Sequence, residues 1–594
     1  MTNLPAAPIT YRVEARDVNT HLFNVTLTIA KPQAQQRVSL PVWIPGSYLV
    51  REFSKNLQGL TAQQGRSKLA AVQLDKCTWQ IACSPSKSLA ICYQIYAHDN
   101  SVRTAWLNAE RGFFNGTSVC LKVQGQENSV HLLEVMEPAK TKGWSVATGL
   151  PAQKTNKQGF GTYSAANYDE LVDCPVELGA FWSGTFTACG VPHRFVVAGA
   201  LPGFDGARLL LDTKKICEEE IRFWHEKSLP KKKPPFANYL FMLNALDDGY
   251  GGLEHRNSTA LICNRKDLPR VGEPKVSEGY TTLRGLISHE YFHTWNVKRL
   301  RPSEFTSYDY TQENHTELLW FFEGFTSYYD DLLLRRAGLL DSAGYLKLLN
   351  KTINQVMQTP GTKVQSVAQA SFDAWVKYYR QDENTPNSTV SYYTKGSLVA
   401  LCFDLTLRTG GHTTLDDVMR ALWLRCKAGP MTEADFAAVL QDLGKRSFTT
   451  DLKNWVHGKT ELPLRELLTL HGVAVHDDPA QLAQRLGLRV SETNTLVVKT
   501  VLSGGAAEKA GFAVGDEWLG IETIKPQSAW RMQRLDDLLL YAGIAKKVIA
   551  LVARDKRLLR LELTIPPPAT TWRLAVKDAA KVDAWLGAWA AEGV

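Results

Sequence analysis

His289-Glu290-Tyr291-Phe292-His293 places two imidazoles four positions apart with a carboxylate beside the first. On a helix, residues four apart differ by about 40° in direction and roughly 6 Å in height, so the two rings project side by side and can share one metal ion. Glu290 adjoins the first ligand, where its carboxylate reaches a water on the metal rather than the metal itself. Zinc with a built-in general base is the chemistry this spacing serves. The competing account is a pair of structural histidines with hydrogen-bonded partners.

The flanking residues predict one helix over 278–300, stopped by Pro302, with an apolar stripe of Leu286, Val297 and Leu300. The stripe is interrupted at His289 and His293, so both rings are expected to point inward. Burying two imidazoles beside a carboxylate is costly without partners, and a metal removes that cost. A catalytic zinc takes three protein ligands and leaves one position for water. The third ligand is expected to be Glu323, in Trp320-Phe321-Phe322-Glu323-Gly324-Phe325, on a second helix over 313–336 closed near Gly338. A carboxylate among such large apolar groups is poorly solvated unless paired or metal-bound. Glu317 points to the far face of that helix and is the weaker candidate. One Zn2+ per chain is the cofactor expected.

The 594 residues are enough for several domains, and 44% apolar with 22% charged is ordinary globular composition. The net charge of +8 is spread among acids, and Lys231-Lys232-Lys233 between prolines is expected to be a solvated loop, so no nucleic-acid partner is expected. None of the 10 cysteines forms a C-x-x-C pair, which argues against a cysteine zinc cluster and for buried thiols. Met1-Thr2-Asn3-Leu4-Pro5 lacks a basic segment followed by an apolar core, and no apolar run approaches the ~20 residues of a membrane span. No signal peptide, no membrane partner and a cytoplasmic location are expected.

Four segments are expected. Residues 1–175 alternate in period two between turns and predict an antiparallel β domain, a sandwich. Residues 176–465 carry strands such as Tyr239-Leu240-Phe241-Met242-Leu243, then the zinc motif and long helical patterns, and form a mixed-to-helical catalytic domain. Residues 466–566 return to short β segments around Gly-rich turns. Residues 567–594 are a tail whose stretch 578–589 predicts a short helix. The fold class is multidomain α+β.

Glu323-Gly324-Phe325-Thr326 after an aromatic run resembles the Asn-Glu-Gly-Phe-Ala segment of the aminopeptidase N superfamily. Gly251-Gly252-Leu253-Glu254-His255 is similar to its Gly-Ala-Met-Glu-Asn element, and Tyr393-Thr394-Lys395-Gly396 to its Tyr-x-Lys-Gly element. With the zinc pentapeptide all four occur in the superfamily's order. Two departures, His255 in place of Asn and a Glu323 eleven positions beyond Gln312 where the superfamily spacing ends, point to a narrower group. Pro41-Val42-Trp43-Ile44-Pro45-Gly46-Ser47-Tyr48 and the residues from His289 to Pro302 resemble the glycyl aminopeptidase family, gluzincin zinc metallopeptidases that carry a PDZ domain.

The resemblance implies a thermolysin-like catalytic domain with His289, His293 and Glu323 as zinc ligands and Glu290 as catalytic base. It assigns Glu254 to the substrate's free α-amino group, a role a fixed carboxylate fills by charge-assisted hydrogen bonding. Gly251 and Gly252 let backbone approach the substrate closely. Tyr393 matches the transition-state tyrosine, with Tyr392 as its rival. The substrate partner is a peptide with a free N-terminus, with Gly or Ala first. Leu486-Gly487-Leu488 and 502–516 resemble a bacterial PDZ domain, whose implied partner is a C-terminal peptide held on backbone N–H groups. Zinc aminopeptidase is therefore the leading function. A metal-free PDZ scaffold and a zinc endopeptidase stand as alternatives. For Lys298, Arg299 and Arg301 the expectation is favourable charge at a helix C-terminus.

Overall fold

Strands Ile9–Asp17 and Leu22–Ile29 show the period-two alternation of a half-buried sheet, with Ile9, Tyr11, Val13, Phe23, Val25 and Leu27 all buried. The computed structural model describes residues 8–139, 141–225, 234–525 and 527–587. Its chain divides into two units, one comprising 1–314 with 336–339 and 423–432, the other 315–335, 340–422 and 433–594.

In the first unit those two strands are the centre of an eight-stranded sheet. Every neighbouring pair in it is antiparallel except Ile9–Asp17 with His131–Met136, which run parallel, so the expected purely antiparallel sheet is corrected at that one pair. Residues of two four-stranded sheets, among them Val38, Ile81, Phe113, Phe114, Val176 and Leu178, share its apolar core. Each such buried side chain contributes about 1.5–3 kcal/mol. The same core continues into Leu253, Ala260 and Ile262, so the strand bearing Glu254 rests on the N-terminal sheets.

A five-stranded sheet follows, in the order Trp182–Ala188, Val191–Ala198, Tyr239–Leu246, Ser258–Asn264, Gly251–Glu254. Its three inner strands are parallel, and Tyr239–Leu246 is buried along nearly its whole length, as a strand covered on both faces must be. Gly251–Glu254 is an edge strand. Helices Gly206–His225 and Glu278–Phe292 are joined where Tyr280 Oη donates to Asp212 Oδ2 at 2.8 Å with Arg284 alongside.

The zinc-motif helix begins with Ser277 as its N-cap and ends at Phe292 rather than Leu300. Beyond His293 the backbone doubles back. Val297 lies at φ 128°, a conformation no helix continues through, while the Lys298 and Leu300 N–H groups donate to the His293 and Trp295 carbonyls.

In the second unit the predicted helix over 313–336 is instead Leu319–Phe322 and Gly324–Arg336, broken at Glu323. Helix Thr394–Gly410 crosses it. Farther along, Leu488–Ser491, Val497–Val501, Glu517–Thr523, Lys547–Arg554 and Arg557–Thr564 form one sheet in that order, with Ser528–Arg531 on Glu517–Thr523. The chain then returns. Thr570–Val576 pairs with Val473–Pro479, and helix Ala579–Leu586 buries Trp585, whose Nε1 donates to Tyr328 Oη at 3.1 Å. The predictions on Met1 to Pro5, on Lys231 to Lys233 and on the tail helix past Gly587 lie outside the described residues. Among the described residues no helix is long and apolar enough to cross a membrane.

Candidate metal centre and active site

His289 lies in the last turn of its helix and His293 caps it. The His293 ring is fixed from behind: its Nδ1 lies 2.8 Å from the Asn296 carbonyl oxygen, so Nδ1–H donates there and the Nε2 lone pair faces forward. That Nε2 lies 3.1 Å from His289 Nε2. Two zinc–nitrogen bonds of about 2.0–2.1 Å at a tetrahedral angle would set their nitrogens about 3.4 Å apart. Ligand atoms of His289, His293 and Glu323 all lie within 4.8 Å of one another, the one such group among the described residues. Two imidazoles and a carboxylate, with His293 and Glu323 buried, are a donor set that fits a catalytic zinc and leaves a fourth position for water.

Glu323 stands at the helix break and is 2% exposed, among Trp320, Phe321, Phe322 and Phe325. Its position depends on two glycines, one in each of two motifs. A Cβ on Gly324 would lie 2.6 Å from the Gly396 backbone, and one on Gly396 would lie 2.7 Å from the Trp320 carbonyl. The two helices therefore touch backbone to backbone, which brings Tyr393 beside Glu323. Enclosure and the Glu323 charge push the Tyr393 phenol well above its ordinary range, so it stays a proton donor. Tyr393 stacks on Tyr378 and Tyr392, and its hydroxyl is 3.3 Å from that of Tyr379. Lys395 in the same motif is buried, and desolvation pulls its ammonium down to about 8.

In the first unit, Gly252 lies against Glu290. Any Cβ there would collide with the Glu290 carboxylate. A side chain at this position would have to displace the Glu290 carboxylate, which is 5% exposed. Gly251 lies one residue earlier on the same edge strand, and Arg103 Nη2 donates to the Gly252 carbonyl at 3.3 Å. Glu254, at the end of the strand, is 4% exposed. Its carboxylate meets Gly46, which has φ 91° and where a Cβ would lie 2.5 Å from Oε1. Pro45-Gly46 is thus a turn pressed onto Glu254. The turn is anchored where Trp43 Nε1 donates to the Asp309 carbonyl at 2.7 Å and the Val42 N–H to that of Tyr310 at 2.8 Å.

The three basic residues after the zinc motif do not decorate a helix terminus, because the helix has already ended. Arg299 donates to the carbonyls of Arg256, Thr294 and Pro235, and Arg301 to those of Lys298 and Phe305. Lys298 Nζ pairs with Asp173 Oδ1 at 2.6 Å. Asp173, Asn296 and the contact of Gly46 with Glu254 were missed by sequence reasoning. The Pro-Gly turn was the one local signal, and it says nothing about what the turn touches.

Two families match the chain: Peptidase M61 N-terminal domain over residues 10–180, and M61 glycyl aminopeptidase over residues 282–399. A crystal structure of an aminopeptidase N family protein from Idiomarina loihiensis is 37% identical with a TM-score of 0.91, covering 98% of this chain and 100% of that one. An M1 zinc metallopeptidase from Deinococcus radiodurans aligns at 15% identity and a TM-score of 0.47, over 78% of this chain and 96% of its own. A mutant of an M1 zinc metallopeptidase from the same organism, bound to a Tyr-Ser-Ala substrate, aligns at 14% identity and 0.46, over 77% and 95%. No curated protein matches the chain.

Proposed function

The chain belongs to the M61 glycyl aminopeptidase family, and on that premise we propose that it removes small N-terminal residues, Gly or Ala, from peptides with a free α-amino group. It is a metallo-aminopeptidase, a hydrolase of peptide bonds. The convergence of His289, His293 and Glu323 on one point carries the reading that its metal is zinc.

We assign the roles as follows. His289 Nε2, His293 Nε2 and a Glu323 oxygen would hold the ion, which when bound polarises the scissile carbonyl and acidifies water. Glu290 accepts a proton from the attacking water and returns it to the leaving amine nitrogen. Gly252 supports this assignment, because its missing side chain is what lets the Glu290 carboxylate stand at the edge strand. Tyr393 donates its hydroxyl hydrogen to the oxyanion that develops as the carbonyl carbon becomes tetrahedral; its raised pKa keeps that proton in place. Glu254 accepts hydrogen bonds from the substrate's α-ammonium. Gly251 and Gly252 present edge-strand backbone along which an extended peptide can lie.

Glu254 separates an aminopeptidase from an endopeptidase. N-acetylation of a glycyl or alanyl substrate removes the charge Glu254 reads and is expected to lower kcat/KM by at least about 100-fold, the scale of a lost buried charge-assisted pair. Turnover undiminished by acetylation would favour the endopeptidase.

We also propose four segments, 1–175, 176–465, 466–566 and 567–594, the third a PDZ domain. Supporting it, the Gly515-Asp516 signature has a structural reason. Asp516 is fully buried, takes a hydrogen bond from the Ala513 N–H at 2.8 Å and pairs with Arg554 at 2.7 Å, which ties the turn to a strand of the sheet. Gly487, at φ 72°, precedes Leu488–Ser491, an edge strand open to β-addition by a peptide ending in a free carboxylate. Asn387 clasps the module to the helical part of its unit, donating to the Val501 carbonyl and accepting from the Ser503 N–H, each at 2.9 Å. Titration with a library of free C-terminal peptides is expected to give saturable binding that C-terminal amidation abolishes; equal binding of amidated peptides would leave the module structural.

A further inference from the structure

Next to Glu254 in the chain lies a buried charge cluster to which no role has yet been assigned. Asp173 sits just past helix Tyr168–Val172 of the N-terminal part of the chain and is nearly enclosed. Its Oδ1 is 2.6 Å from Lys298 Nζ and 3.3 Å from His255 Nδ1, and its Oδ2 accepts the Arg256 N–H at 3.0 Å. One carboxylate therefore grips the two residues that follow Glu254 in the chain, together with the lysine of the turn that follows His293. Lys298 is 5% exposed and His255 1%. The chain accepts backbone strain to deliver this lysine. Val297, immediately before it, is a β-branched residue at φ 128°, a conformation such residues rarely adopt.

Charge accounting gives the cluster a purpose. Glu254 is buried and its field acts on Lys298. An ammonium in that position would neutralise Glu254 and repel the very group Glu254 has to bind, the α-ammonium of a peptide. Asp173 removes the conflict by taking the lysine for itself. Burial works against both charges, yet the pairing outweighs it: Asp173 is held well below the usual carboxylate range by Lys298, His255 and Arg256, and Lys298 is raised. Gly46 lies against both carboxylate oxygens of Glu254, where a Cβ would come within 2.5 Å of either, so this turn bounds the carboxylate as well.

We propose that Asp173 is a positioning residue for recognition of the substrate's free α-amine, sequestering Lys298 so that Glu254 keeps its negative charge available and fixing Glu254 through His255 and Arg256. This rests on Glu254 as the α-amine site. It locates an electrostatic control of amine affinity in a residue that touches neither substrate nor metal.

The test compares the zinc-loaded full chain with Glu254→Gln, Asp173→Asn, Lys298→Met and the double variant Asp173→Asn/Lys298→Met, measuring kcat and KM on glycyl and alanyl p-nitroanilides, with zinc content and a melting curve for each. Asp173→Asn is expected to raise KM about tenfold or more with kcat within about threefold, since the lost interaction bears on amine binding rather than on the reacting carbonyl. Lys298→Met is expected to keep KM at or below the parental value. The double variant is expected to recover KM to within about threefold of the parent, because removing the lysine removes what Asp173 was restraining. A damaged scaffold would instead make the double variant as poor as, or worse than, the single one, and that result overturns the proposal. So does an unchanged KM in Asp173→Asn, or a Lys298→Met KM raised tenfold; the latter arm decides the matter if Asp173→Asn does not fold. An unchanged KM in Glu254→Gln would sink the α-amine assignment itself. An impaired Glu254→Gln beside an unimpaired Asp173→Asn sinks the present inference alone.

Discussion

Glu290→Gln is expected to keep its zinc and lose about 10²–10⁴-fold in kcat, the range of a positioned general base. Glutamine has the size and outline of glutamate, and the bare backbone of Gly252 against which the side chain lies accommodates either. The amide cannot accept a proton from water at neutral pH, so the attacking oxygen loses its base and the leaving amine its donor. Because the His289, His293 and Glu323 ligand set does not include Glu290, metal content measured by atomic absorption should match the parent. A variant turning over at near-parental rates would remove Glu290 from the mechanism. One that lost its zinc would make Glu290 a ligand instead.

Glu323→Ala is expected to fail earlier, at metal retention. It leaves two imidazoles and no charged ligand, and zinc affinity should fall by at least about 100-fold, more than is typical when a group merely supporting a ligand is removed. The fold itself should survive. The side chain is shortened in place, and the neighbouring Gly324–Gly396 contact involves backbone alone. The measurements are zinc per chain after dialysis against a weak chelator and kcat/KM with zinc restored to saturation. Parental zinc content together with parental activity would show that another group supplies the third ligand.

The two variants differ in a way that reflects how the site is assembled. Glu290 belongs to the motif helix and is held by the edge strand packed on it. Glu323 belongs to a helix that is broken at that very residue and is placed by contact with helix Thr394–Gly410. On the proposed roles, loss of the Glu290 carboxylate would remove a proton acceptor from an intact centre. Loss of the Glu323 carboxylate would dismantle the centre.

Local chemistry was legible in the residues. Period-two alternation announced the N-terminal sheets, and the spacing of His289 and His293 announced that their rings meet, with the two Nε2 atoms 3.1 Å apart, since both depend on periodicities that neighbouring residues carry. A carboxylate within Trp320-Phe321-Phe322-Glu323 was conspicuous for want of solvation. Resemblance then singled out Glu254 and Tyr393, which no spacing could have distinguished from ordinary polar residues. Helix limits fared worse. The apolar stripe running on to Leu300 concealed the turn at Val297, because a positive φ held by long-range packing leaves no trace in hydropathy.

What the chain's order of residues could not convey was mutual proximity between distant segments. That Gly252 lies against Glu290, that Gly324 meets Gly396, and that Gly46 is pressed against Glu254 are facts about pairs, and a glycine in isolation specifies no partner. Asp173 is the sharpest case. In sequence it is one acid in a turn. In the folded unit, burial strengthens its electrostatics and aligns it with Lys298, His255 and Arg256, so its meaning comes from three residues between 82 and 125 positions away.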